Sequence, residues 1–71
     1  MLSAHALDAY RRKVEAMTDD EYIAEVERCS FLAARLTRWS EYDQRCEVLA
    51  HHNAPLYDAV RARLERSLRA R

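Results

Sequence analysis

The absence of glycine is the feature that most restricts this chain: none of its 71 residues is glycine, and only Pro55 is proline. Glycine supplies the positive φ angles and the close backbone approach that phosphate-binding loops, dinucleotide-binding turns and tight primed hairpins require. A chain without glycine lacks these ligand loops. We therefore expect short connections and a backbone that is almost entirely helical.

Apolar residues at helical spacing predict a first helix from about Ser3 to Met17. Leu7, Tyr10 and Val14 recur at intervals of three and four residues, which places them on one helix face. Ser3 is a suitable N-cap, since its hydroxyl can accept a bond from a backbone N–H of the first turn.

The strongest local signal lies where this helix gives way to the next. Thr18 followed by Glu21 has the spacing of a capping box, and Met17 with Tyr22 can form the accompanying hydrophobic staple. The pattern predicts a new helix that begins at Asp19, where acidic side chains complement the helix dipole.

Two apolar stripes follow from this start, and they are out of phase by roughly one residue. The first comprises Tyr22, Val26, Cys29, Ala33 and Leu36, and the second comprises Leu32, Trp39, Tyr42, Cys46 and Leu49. One interpretation is a continuous helix from Asp19 to His52 that presents two faces to two partners. The other is a break near Thr37–Ser40, where Ser40 and Asp43 imitate a weak capping box. The segment contains neither glycine nor proline, which favours the continuous helix.

The sole proline marks the start of the last helix, which we expect from Pro55 to Leu68 or beyond. Asn53 can end one helix and cap the next, and Pro55 fits a first helical turn because its missing N–H is not needed there. The predicted fold is all-α: a single domain, residues 1–71, forming a small antiparallel bundle of three helices, or four if the central helix is broken. We expect the first helix to pack on the first half of the long helix and the last helix on its second half.

Size and charge indicate what such a bundle can bind. Domains this small are marginal as monomers, so a homodimer is expected. The formal net charge is zero, which disfavours a general polyanion binder. Membrane spans and signal-peptide patterns are both missing from the sequence, which predicts a cytoplasmic protein without a membrane partner, whose two cysteines are free thiols.

Catalytic and metal-binding patterns are weak. Glu47 and His51 share a helix face, but no second pair with zinc or di-iron spacing accompanies them. The acidic side chains around Glu25 fit helix-start charge and a solvated face better than acid–base catalysis. We therefore expect no enzymatic activity, no metal and no cofactor.

Two sets of residues are candidates for binding. The first combines arginine and aromatic side chains, which are frequent in binding hot spots: Arg35, Arg38, Trp39 and Tyr42. The second consists of arginines on the last helix that could contact nucleic acid phosphates: Arg61, Arg63, Arg66 and Arg69.

These features predict a small non-enzymatic module that binds another protein, as a regulator, inhibitor or adaptor, and acts as a homodimer. Phage- and plasmid-type accessory inhibitors, such as anti-CRISPR proteins, are examples of this class. The alternative is a nucleic-acid-associated regulator that uses the arginine-rich last helix.

Overall fold

Four helices account for most of the chain in the computed structural model, which describes residues 2–36 and 40–69. They are α1 (Ala4–Glu15), α2 (Asp19–Arg35), α3 (Glu41–His52) and α4 (Ala54–Arg69). The described residues contain no strand, so the all-α prediction is confirmed within them.

The expectation of one continuous helix from Asp19 to His52 was wrong. α2 ends at Arg35, and the following Leu36 has extended backbone angles of φ −98° and ψ 170°. α3 then begins behind Ser40, whose hydroxyl accepts from the Asp43 N–H at 3.3 Å while the Asp43 carboxylate accepts from the Ser40 N–H at 3.2 Å. This capping box replaces the helical bonds lost at the break.

The break allows α3 to fold back along α2. Ser30 lies beside Cys46, and the hydroxyl of Tyr22, near the start of α2, donates to the carbonyl of Leu49, near the end of α3. The two helices are therefore antiparallel neighbours. Their facing sides are buried against each other, which a single straight helix could not do.

The outer helices also pack differently from the prediction. α1 runs closest to α3, and α4 runs closest to α2 with a smaller contact to α3. The expected order was the reverse, because it assigned the two outer helices to successive halves of a straight rod. The core that results is formed by Tyr10, Val14, Tyr22, Val26, Cys29, Cys46, Val48, Leu49 and Val60.

The other helix boundaries follow the predicted caps. Ser3 accepts from the N–H of Ala6 at 3.1 Å, and the Thr18–Glu21 capping box is complete. Asn53 ends α3 and its side-chain oxygen accepts from the N–H of Leu56 at 3.3 Å. These hydrogen bonds confirm the predicted caps. The caps were predictable from sequence because each depends on residues only three positions apart.

Candidate functional site

An apolar groove lies between the C-terminal half of α2 and α4. It has a volume of about 220 Å³, and its apolar lining comprises Phe31, Ala34, Leu64 and Leu68. Charged side chains from both helices stand at its rim: Arg35, Arg61 and Glu65. An apolar floor inside a charged rim is the usual anatomy of a protein-binding surface.

Large apolar side chains are exposed at this end of the molecule. Phe31 retains 43% of its accessible surface, Leu36 retains 49% and Leu68 retains 48%. Leu36 was expected on an apolar stripe, and Leu68 near the end of the last helix. The break after α2 and the far end of α4 leave both beyond the reach of a covering helix.

The structure describes two of the four predicted protein-binding residues, and their contacts differ. The guanidinium of Arg35 lies 5.4 Å from the centre of the Phe31 ring, at the rim of the groove. Tyr42 instead contacts Arg28 and Arg45, which lie 5.8 and 4.9 Å from its ring centre. Arg38 and Trp39 fall outside the described residues.

Beneath Tyr42 lies a buried polar cluster around Glu25, a residue that was expected on a solvated face. Glu25 is only 8% exposed, and its carboxylate accepts from the Tyr10 hydroxyl at 2.6 Å. Arg28 donates to the other carboxylate oxygen at 2.8 and 3.2 Å. The sequence did hold a signal, because Glu25 lies one turn before Cys29 and therefore on the edge of the apolar stripe.

The electrostatics of this cluster keep the carboxylate ionised. Burial acts to raise the pKa of Glu25, but the hydrogen bonds from Tyr10 and Arg28 outweigh it and the pKa is lowered. Burial and the bond to Glu25 both raise the pKa of Tyr10. The cluster is internally satisfied and joins α1 to α2, so its role is structural.

The four arginines of the second predicted set lie in different surroundings. Arg61 donates to the Tyr57 hydroxyl at 2.9 Å and lies 3.9 Å from Glu65. Arg63 bridges to Glu27 of α2 at 3.3 Å. Arg66 and Arg69 are exposed, and neither has a carboxylate within ion-pair distance in the part of the chain that the structure describes.

A second cleft, of about 560 Å³, lies between α1 and α3. Polar side chains such as Glu15, Glu47 and His51 line it, above Val14 and Val48. Over residues 2–36 and 40–69, no group of three or more histidine, cysteine or acidic side chains is arranged to hold a metal ion.

Both cysteines are free and belong to the core. Cys29 and Cys46 are buried, and burial raises the pKa of each thiol. A reactive cysteine needs exposure and a lowered pKa, so these thiols serve as small apolar side chains.

Comparison with known proteins identifies no relative. The chain matches no family model, no curated protein and no solved structure. Within the described residues, none of the helices has the length and apolar character needed to cross a membrane.

Proposed function

We propose that this protein is a small non-enzymatic protein-binding module that regulates, inhibits or adapts a larger protein. The observation that carries the proposal is the α2–α4 groove, where Phe31 and Leu68 remain almost half exposed around an apolar floor. Exposed apolar clusters with a polar rim are characteristic of interaction sites.

The total surface of the chain supports the same conclusion. A folded monomer of 8.4 kDa has an expected accessible surface of about 4600 Å². This chain exposes 5260 Å² and measures 39 × 28 × 15 Å. The exposed surface includes the apolar side chains of Phe31, Leu36 and Leu68, which a partner protein can bury.

Paired leucine variants test the proposal. Leu68→Ala removes an apolar side chain from the groove, whereas Leu36→Ala removes one of nearly equal exposure that does not line it. Wild type and the two variants are each used as bait to capture proteins from cells, and the captured proteins are quantified by mass spectrometry. The affinity of a captured protein is then measured with purified components.

Support requires one protein that wild type and Leu36→Ala retain and that Leu68→Ala binds more weakly. Half of a leucine side chain is worth about 1 kcal/mol of burial, so we expect a loss of about fivefold in affinity. If the leucine variants bind every captured protein equally, the groove is not the binding surface and the proposal fails.

A second candidate function is nucleic acid binding through α4. The exposed side chains of Arg66 and Arg69 favour it, while Arg61 and Arg63 are engaged with carboxylates of this chain. Phosphate contacts release counterions, so affinity for a DNA or RNA duplex must rise steeply as salt falls. An absence of binding at low salt, or binding that Arg66→Ala leaves unchanged, eliminates this candidate.

A further inference from the structure

The charged side chains on the walls of the α2–α4 groove are Arg35 on α2 and the neighbouring Arg61 and Glu65 on α4. Arg35 stands on the α2 wall beside Phe31. On the α4 wall, Glu65 is the acidic residue of the lining, and the guanidinium of Arg61 lies 3.9 Å from its carboxylate. A two-fold axis parallel to the groove exchanges the two walls, so Arg35 of one copy faces the α4 wall of the other, where Glu65 can lie between its own Arg61 and the incoming Arg35. The same surface can therefore complement itself, which is the requirement for an isologous dimer.

The dimensions and charge of the chain are compatible with such a dimer. Its broad side measures 39 × 28 Å, which has room for the roughly 800 Å² per partner that a standard interface buries. The formal net charge is zero, so two copies approach without long-range repulsion. The 5260 Å² that the chain exposes exceeds the roughly 4600 Å² expected of a monomer of this mass, so surface is available for association.

We propose that a second copy of this chain covers the α2–α4 groove. In this dimer the Phe31 and Leu68 side chains of the two copies pack together at the centre, and each Arg35 pairs with Glu65 of the other copy. The inference rests on the proposed function in taking the groove as a protein-binding surface. A larger protein that uses the groove competes with the second copy.

Sedimentation velocity of the full chain over a range of concentrations tests the apolar part of the interface. We expect a reversible dimer for wild type and an unchanged dimer for Leu36→Ala. For Leu68→Ala, which loses one side chain from each copy, we expect a dissociation constant raised about tenfold or more. A mass of one chain at every concentration, or equal dimerisation of the two leucine variants, overturns the inference.

Charge reversal tests the pairing. Arg35→Glu and Glu65→Arg should each weaken the dimer, because each places like charges across the interface, and the double variant should restore it. Arg66→Glu changes a neighbouring arginine of α4 that does not line the groove, and it should leave the dimer intact. Circular dichroism checks that each variant is folded. A double variant no stronger than the singles refutes the Arg35–Glu65 pairing and with it the two-fold arrangement.

The two proposals fail separately. A monomeric wild type whose larger partner is lost on Leu68→Ala overturns the dimer and supports the proposed function. The opposite result is a dimer that Leu68→Ala weakens, combined with capture that yields no protein whose binding Leu68→Ala weakens. This result supports the dimer and overturns the proposed role in binding a larger protein.

Discussion

Replacing Tyr10 with phenylalanine removes one hydroxyl from the centre of the buried cluster. That hydroxyl donates to Glu25 at 2.6 Å and lies 3.8 Å from the sulfur of Cys29. The ring itself belongs to the core and is retained in Tyr10→Phe. The variant therefore removes the hydrogen bond to a buried charge, together with the weaker contact to Cys29, with little change in packing volume.

The expected loss in the free energy of unfolding depends on the hydrogen bonds that the Glu25 carboxylate keeps in the variant. One oxygen of Glu25 still accepts from Arg28, while the other loses the hydrogen bond that Tyr10 donated. A hydrogen bond to a charged group contributes about 1.5–3 kcal/mol, and leaving a buried acceptor unsatisfied costs a similar amount. Because Glu25 retains Arg28, we expect Tyr10→Phe to lower the free energy of unfolding by about 2 kcal/mol at pH 7.

The loss should depend on pH in a defined direction. The pKa of Glu25 is lower in the folded state than in the unfolded chain, so its ionised form stabilises the fold above the unfolded pKa of about 4.3. That contribution is lost as pH falls through the folded pKa. Without Tyr10, burial is less well compensated and the folded pKa of Glu25 rises. The difference between the two proteins should therefore be largest at neutral pH and shrink in acid.

Urea unfolding followed by circular dichroism, at pH 7 and near pH 3, measures both effects. Tyr57→Phe is the matched control, because its hydroxyl accepts a partly exposed bond from Arg61 and does not contact Glu25. We expect its cost to be below about 1 kcal/mol. A loss for Tyr10→Phe under about 0.5 kcal/mol at pH 7, or a loss that is the same at both pH values, would refute the assigned role of the buried bond.

Three further results are expected. Ser40→Ala, which removes the α3 cap, should cost about 1 kcal/mol and lower Tm by about 4–8 °C in calorimetry, while exposed Ser67→Ala should leave Tm nearly unchanged. Burial raises the pKa of Tyr22 to about 12. The contribution of Tyr22 to the free energy of unfolding should therefore be fully present below the unfolded pKa of about 10 and be lost as pH rises from there through 12. A free energy of unfolding that stays constant over this range contradicts the expectation. Cys29 and Cys46 should react slowly with a thiol reagent until urea unfolds the chain, and rapid labelling of the native protein would show that they are not buried.

Several elements of the fold were predictable because their causes are local. The capping box at Thr18 and the Asn53–Pro55 boundary each satisfy helix-end donors within three residues. The break between α2 and α3 was harder to predict, although Ser40 and Asp43 supplied the local signal. Whether a helix continues or ends there depends on the core that α3 forms by folding back on α2, which is a long-range contribution.

The candidate site was less predictable than the fold. Arg35 was identified, and the structure places it at the groove, yet Phe31 was not among the candidate binding residues and Leu68 marked only the predicted end of the last helix. Sequence periodicity shows which residues share a face, but it does not show which part of that face another helix covers. Glu25 was misassigned for the same reason, because its burial depends on Tyr10 reaching across from α1.

The sequence by itself determined that this chain is helical and where most of its helices begin and end. Those properties depend on the absence of glycine, on apolar periodicity and on capping side chains within one turn of the helix ends. Tertiary structure alone decided which apolar surface stays uncovered, because exposure depends on the order in which helices pack. α1 lies against α3 and α4 against α2, and this arrangement leaves Phe31 and Leu68 exposed.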